Sequence, residues 1–264
     1  MQTTQKLISR VLIIFFLGTI ALFTCACSQP HAATASPKDS GGSPVARDYN
    51  SKALALYNKG DLNGAVADWK SALKDDPHYG DAHYNLGRAL YDQGNYQDAL
   101  GHFQQAVNLV PVSSAAWYNL GLTYAALNKM EEAVNSFKQA TKLDPGIMSA
   151  YLNMGIAYYK LGQYDDAILN FQIVVTNQPN DIYALYDMGL ALFAKGKVPE
   201  AINQFEAAVK LDPNYAEAYY GLGLAYMDQG NGGQARTAFQ KCIDINPKAA
   251  IAVEAAKKIE AIGK

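Results

Sequence analysis

The sequence predicts an all-α fold: a solenoid of six helical hairpins closed by a C-terminal capping helix. Three observations predict it. Prolines recur at Pro77, Pro111, Pro145, Pro179, Pro213 and Pro247, each 34 residues after the one before. Alanines twelve residues upstream of them (Ala65, Ala99, Ala133, Ala167, Ala201, Ala235), and aromatics four residues further on (Trp69, Phe103, Phe137, Phe171, Phe205, Phe239), keep the same step. No long run alternates polar and apolar residues with period two, so no sheet is expected. A constant step of this size marks a repeat architecture, in which stacked units supply a core that no single unit can bury.

The elements follow in order along the chain. Lys6 and Arg10 precede an apolar run over residues 11–27, VLIIFFLGTIALFTCAC, the layout of an export signal. Residues 28–45 are small, polar and rich in Pro and Gly, and read as a tether. Six repeats occupy 46–79, 80–113, 114–147, 148–181, 182–215 and 216–249 without insertion or deletion. Residues 250–264 form one more amphipathic helix, with Lys257, Lys258 and Glu260 available to water.

Within a repeat the residues dictate two helices and a turn. In repeat three, Trp117, Leu120, Gly121 and Tyr124 fall at i, i+3, i+4 and i+7, one stripe of a helix. Ala133, Phe137 and Ala140 make a second stripe. Gly94, Gly162, Gly196 and Gly230, with Asn128 in repeat three, sit between the stripes and tolerate the positive φ of a helix end. Gly87, Gly121, Gly155, Gly189 and Gly223, with Ala53 in the first repeat, let the two helices approach closely. Proline then ends each second helix, which it cannot continue.

This pattern resembles the tetratricopeptide-repeat (TPR) family, with its aromatic, Leu-Gly, Tyr, Ala, Phe, Ala and Pro at fixed offsets. Repeat three shows Trp117, Leu120-Gly121, Tyr124, Ala133, Phe137, Ala140 and Pro145. Repeat one departs most, with Lys52-Ala53 in place of Leu-Gly, as a terminal repeat with one neighbour can. The resemblance implies a right-handed superhelix whose first helices line a concave groove, and a protein or peptide partner bound there.

Carried over to this chain, the groove positions are four. The fifth residue of each repeat is Asn50, Tyr84, Tyr118, Leu152, Tyr186 or Tyr220. The ninth is Leu54, Arg88, Leu122, Ile156, Leu190 or Leu224, and the twelfth Tyr57, Tyr91, Ala125, Tyr159, Phe193 or Met227. The second is Arg47, Asp81, Ala115, Ser149, Tyr183 or Glu217. Tyrosines at the fifth and twelfth positions serve scaffold packing as readily as binding. Aliphatic residues at the ninth, where the family favours polar ones, predict an apolar, aromatic-lined groove across repeats three to five. Such a patch suits an apolar helix or extended peptide. Arg88, Asp81, Asp92, Lys160 and Asp228 form a charged rim that would orient the partner. A carboxylate clamp of the chaperone-tail type needs Lys at the fifth position, and no repeat has it.

Composition excludes other classes. Net charge is −2, and without the first 37 residues 20 basic residues face 24 acidic ones, so no basic face for nucleic acid is expected. There is no phosphate-binding glycine loop and no nucleophile elbow, so no catalysis and no cofactor are expected. Of the four histidines, His31 lies in the tether and His78 in a loop. His83 takes a core aromatic position and His102 a second helix, and no metal set is read from them. Cys242 falls on a small core position and reads as an inert buried thiol.

The N-terminus has three readings. Residues 22–27, LFTCAC, resemble a bacterial lipoprotein box, with Ala26 before a lipidated Cys27, although Thr24 departs from the usual Leu. Cleavage after Ala35, in Ala33-Thr34-Ala35, is the second. An uncleaved anchor is the third, since the run of 17 residues stands at the short end of the ~17–25 that span a bilayer. The functional expectation is a non-catalytic protein-binding scaffold of the bacterial envelope, membrane-anchored and facing the periplasm, or secreted if cleaved. Two alternatives stand beside it. One is an assembly factor for a pilus or secretion machine, since six repeats on a lipid anchor resemble type IV pilus pilotins in layout. The other is an adaptor of a cell-envelope enzyme. A tethered organelle adaptor is the version for a eukaryotic host.

Overall fold

The structure, a computed structural model, describes residues 41–263. Among them are thirteen α-helices and no strand. The helices pair into hairpins: α1 (Pro44–Asn58) with α2 (Leu62–Asp75), α3 (Gly80–Asp92) with α4 (Tyr96–Leu109), and α5 (Ser114–Ala126) with α6 (Met130–Leu143). Then come α7 (Met148–Lys160) with α8 (Tyr164–Asn177), α9 (Ile182–Lys195) with α10 (Val198–Leu211), and α11 (Ala216–Asp228) with α12 (Gly232–Ile245). The last helix is α13 (Ala250–Ile262). The fold is thus the all-α hairpin array that the 34-residue step predicts. Cys27 and the rest of the apolar N-terminal run lie outside the described residues. Among the described residues no helix is long and apolar enough to cross a membrane.

Local chemistry sets the helix ends. α1 begins at Pro44, two residues before the repeat boundary expected from sequence, because Ser43 caps it: its hydroxyl accepts from the Ala46 amide at 3.0 Å. Proline directly after a cap costs nothing, since that amide has no intrahelical partner. The turn inside each hairpin needs left-handed backbone. Gly94, Gly162, Gly196 and Gly230 supply it, Gly60 does so in the first repeat, and Asn128 stands at φ 60° in the third. After the second helices, Asp76, Asp144 and Asp212 each precede a proline and hold the chain with a side-chain acceptor. Asp144 Oδ1 takes the Gly146 amide at 2.9 Å, and Asp212 Oδ1 the Asn214 amide at 2.9 Å.

The hairpin core is a ring lying over a glycine. Phe103, Phe137, Phe205 and Phe239 are fully buried. A Cβ added at Gly87 would meet the Phe103 ring at 3.0 Å, at Gly121 the Phe137 ring at 2.6 Å, and at Gly189 the Phe205 ring at 2.6 Å. At Gly223 the gap to Phe239 is 2.4 Å. In repeat one Ala53 and Trp69 hold the equivalent places, both buried.

The chain divides after Ala157, inside α7, into two compact units. In the N-terminal unit the first helices α1, α3 and α5 touch in succession, and each second helix also packs on the next first helix. In the C-terminal unit α9 touches α11, and α10 bridges to α11 in the same way. There α13 covers α12 and reaches α11, burying Ile251, Ala252 and Ala255 while Lys257 and Glu260 stay exposed. It ends the array with a solvated face, as its sequence predicts.

Gly223→Ala should lower stability by about 1–3 kcal/mol through overpacking, read as a lower urea midpoint. Gly233→Ala, on α12 where an added Cβ meets nothing within 4 Å, should not. Equal midpoints for the two variants would show that the ring-on-glycine contact does not limit stability.

Candidate protein-binding face

Successive first helices are joined by a ladder of amide–hydroxyl hydrogen bonds with a spacing of 35 residues. Asn119 Nδ2 donates to Tyr84 Oη at 3.3 Å, and Asn153 Nδ2 donates to Tyr118 Oη at 3.3 Å. Each amide also donates one turn back along its own helix, to Ala115 O and Ser149 O, which fixes its orientation. At the first rung Asn50 replaces tyrosine, and its Oδ1 accepts both Asn85 Nδ2 at 3.0 Å and Trp69 Nε1 at 2.8 Å. Every rung satisfies a polar group that the packing of first helices would otherwise strand.

The ladder lapses in the C-terminal unit. The amide expected beside Tyr186 would come from residue 221, which is glycine, and the buried Tyr186 hydroxyl has no partner. The next residue, Asp187, stands where repeats two, three and four carry Asn85, Asn119 and Asn153. Asp187 is buried, and burial, then Asp181, pushes its carboxyl up to about 8. The Tyr159 hydroxyl is also buried and unpartnered. Burial first, then neighbouring charge, raises the pKa of both tyrosines.

The structure sorts the residues expected in the groove. In the N-terminal unit Tyr84, Leu122 and Ile156 are buried, while Arg88, Tyr91, Tyr118 and Leu152 are half-buried. In the C-terminal unit Tyr159, Tyr186, Leu190, Phe193, Tyr220 and Leu224 are buried, and Tyr183 is 42% exposed. The ninth-position side chains expected to line an apolar groove, Leu122, Ile156, Leu190 and Leu224, are thus buried among the helices. The larger exposed apolar side chains elsewhere include Leu169 and Ile173 on the second helix α8. Arg88 is held by its neighbours: its guanidinium stacks over Tyr57 and Tyr84, with its carbon 5.1 and 5.8 Å from the ring centroids. Tyr57 in turn donates to Asp92. Aromatic contacts join Tyr183 and Tyr186 to Tyr215; Tyr215 was not singled out from sequence, because a loop position carries no periodic signal.

Side chains read separately in the sequence also meet. The His83 and His102 rings lie with centroids 5.3 Å apart. Burial, followed by His83, lowers the His102 pKa to about 4, with Lys70 acting in the same sense and Asp98 against it. Burial also lowers that of His83. Among the described residues no three His, Cys, Asp or Glu side chains converge as a metal set. Cys242 is buried in α12, and burial pushes its thiol up to about 12, in keeping with an inert thiol.

Comparison with known proteins defines the class. Family models described as tetratricopeptide repeat match residues 50–114, 87–146 and 118–182, and again 216–249, and one described as TPR repeat matches 189–230. The chain belongs to the tetratricopeptide-repeat family, whose members bind protein or peptide partners and are in general non-enzymatic scaffolds. No curated protein sequence matches it. Among solved structures it is similar to YrrB, described as a TPR protein with an unusual peptide-binding site. The two are 26% identical over 72% of this chain and 97% of that one, with a TM-score of 0.63. It shares its fold with PilW, described as a widely conserved type IV pilus biogenesis factor (21% identity, 81% of this chain and 99% of that one, TM-score 0.67). The same holds for MamA from Desulfovibrio magneticus RS-1 (23% identity, 65% and 97%, TM-score 0.62).

Asp187 makes the stability of the C-terminal unit depend on pH. The folded carboxyl keeps its proton up to about pH 8, while the unfolded one loses it near 4, so unfolding releases a proton between those values. Stability should fall as pH rises from 4 to 8, by at most about 1.4 kcal/mol per pH unit, and level off above. Asp187→Asn should flatten this dependence in urea melts followed by circular dichroism. Fluorescence of Trp69 and Trp117, both in the N-terminal unit, serves as the internal control. An unchanged slope in the variant would remove Asp187 as its source.

Proposed function

We propose that this protein is a non-catalytic docking scaffold of the bacterial envelope, and that it holds an apolar peptide or helix of its partner against the first helices of its repeats. The observation that carries the reading is the first-helix surface itself. Tyr91, Tyr118, Leu152 and Tyr183 stand half-buried or exposed on it, and in the C-terminal unit the Tyr159 and Tyr186 hydroxyls are without partners. Tyrosine combines a large contact area with a hydroxyl for backbone groups and loses little side-chain entropy on binding. Tyr91, Tyr118, Leu152 and Tyr183, with Arg88, are the members that solvent reaches, and they are the first points of contact. The peptide-binding description of YrrB supports the same mode.

The envelope location rests on the N-terminal sequence. The charged start, the apolar run and Ala26-Cys27 together favour a lipidated Cys27, with residues 28–43 as the lead to the first helix. A pilotin-like role in assembling a pilus or secretion machine is the specific form that the fold shared with PilW favours. Adaptor of an envelope enzyme is the general form.

Two experiments test these statements. A photo-reactive phenylalanine placed at Tyr118 or Tyr183 in cells should give a discrete adduct, and the same residue at Leu169, exposed on the second helix α8, should give none. Adducts at Leu169 alone would move the partner to the outer helices. Cys27→Ala should abolish incorporation of labelled palmitate; unchanged labelling would leave cleavage after Ala35 or a retained anchor as the remaining choices.

A further inference from the structure

The second repeat places an imidazole on each arm of its hairpin, His83 on α3 and His102 on α4, and their Nδ1 atoms face each other at 3.0 Å with the ring centroids 5.3 Å apart. A bond between two ring nitrogens needs one N–H and one bare lone pair. The outer nitrogen of His83 fixes which is which: Nε2 lies 3.1 Å from the Pro77 carbonyl, and a carbonyl only accepts. His83 therefore carries its proton on Nε2, its Nδ1 is bare, and His102 donates from Nδ1. In repeat three Trp117 makes the same contact with the Pro111 carbonyl at 2.9 Å, through an indole N–H that does not titrate. Ser136 and Asn170, equivalent to His102 in repeats three and four, bond back along their own helices to the Glu132 and Asp166 carbonyls. The second hairpin is thus fastened across its arms by a side-chain bond whose donor and acceptor both titrate.

We propose that the His83–His102 bond is an acid-released clasp between α3 and α4, closed while the pair carries at most one added proton and open when both rings are charged. A single added proton still leaves one N–H between the two Nδ1 atoms, so the bond persists. A second proton puts an N–H on each of two atoms 3.0 Å apart and sets like charges in contact, so the rings must separate. Helix α3 carries Tyr84, Arg88 and Tyr91 of the first-helix face, and opening the clasp loosens that helix from the arm behind it. The clasp rests on contacts within the second hairpin and is independent of the docking function proposed above.

The surroundings set where the clasp opens. Burial, then His83, brings the His102 pKa down to about 4, with Lys70 on α2 acting in the same sense and Asp98 on α4 against it. Burial lowers that of His83 as well, the bond to Pro77 opposes this, and His78 in the preceding loop adds to the lowering. Helices α1 and α5 also pack on this hairpin, and among the described residues neither brings a charge that acts on the two rings. In the unfolded chain both imidazoles titrate near about 6.5. The unfolded state takes up protons first, so the clasp contributes fully above about pH 7 and its contribution is lost as pH falls toward 4. The sense is opposite to that of Asp187, so acid loosens the N-terminal unit while it firms the C-terminal one.

The test is urea unfolding of the full chain, purified in detergent, from about pH 7.5 to about pH 5, followed by the fluorescence of Trp69 and Trp117. In wild type the unfolding equilibrium constant of the N-terminal unit should rise about tenfold or more over that range. Two variants remove one ring each and put in the residue that repeat four carries at that place: His83→Tyr, after Tyr151, and His102→Asn, after Asn170. Each should lose most of the rise. Nitrogen-15 spectra of the wild-type imidazoles supply a readout that needs no variant to fold. They should show His83 protonated at Nε2 at neutral pH, and the two rings titrating together in two steps, both below the ordinary histidine range. A wild-type constant that does not change with pH, a rise kept in full by both variants, or two rings titrating independently near 6.5 would overturn the clasp.

Discussion

The hairpins of this protein depend on an aromatic ring of the second helix packed directly against a glycine of the first, seen in repeats two, three, five and six. The contact at Gly121 and Phe137, at Gly189 and Phe205, and at Gly223 and Phe239 is tighter than any side chain beyond hydrogen allows. It draws the two helices of a hairpin together and sets which faces they turn to the next repeat. Gly221 extends the same logic between repeats, since its added Cβ would lie 2.9 Å from the ring of Phe205 in the repeat before. A helix interior is an unfavourable place for glycine, by roughly 1 kcal/mol relative to alanine. Its recurrence there makes sense only because the ring needs the space.

Once the hairpins are drawn together, the first helices lie side by side and their polar groups must be satisfied. The ladder from Asn119 to Tyr84 and from Asn153 to Tyr118 does this in the N-terminal unit. In the C-terminal unit glycine at 221 withdraws the amide from Tyr186, and a carboxyl takes the amide position at 187. Buried polar atoms without a partner occur in both units, Arg88 Nε in one and the Tyr159 and Tyr186 hydroxyls in the other, but the amide–hydroxyl ladder runs only through the first. Unmet buried hydroxyls and a buried acid lower the stability of the helices that carry them. That difference distinguishes the two units more sharply than their closely similar repeat sequences suggest.

The periodic part of the structure was legible in the residues. Helix existence, the hairpin turns at glycine or Asn128, the proline stops and the capping role of α13 all follow from spacing, because each depends on neighbours a few residues away. The site was legible only in part. The second, fifth, ninth and twelfth positions do mark the first-helix face, yet Leu122, Ile156, Leu190 and Leu224 are buried, while water reaches Arg88, Tyr91, Tyr118, Leu152 and Tyr183. Periodicity says which stripe of a helix a residue occupies. It does not say how wide the contact with the next helix is, and that width decides burial.

The sequence by itself determined the fold class, the number of hairpins and the phase of every repeat, because these are properties of a constant step. The tertiary structure alone decided which first-helix residues stay open, that the Tyr186 hydroxyl lacks the partner its counterparts Tyr84 and Tyr118 have, and that His83 and His102 meet. Each of these is a matter of distance between side chains on different helices. Such distances are set by how closely backbones pack, and a one-dimensional pattern carries no measure of that.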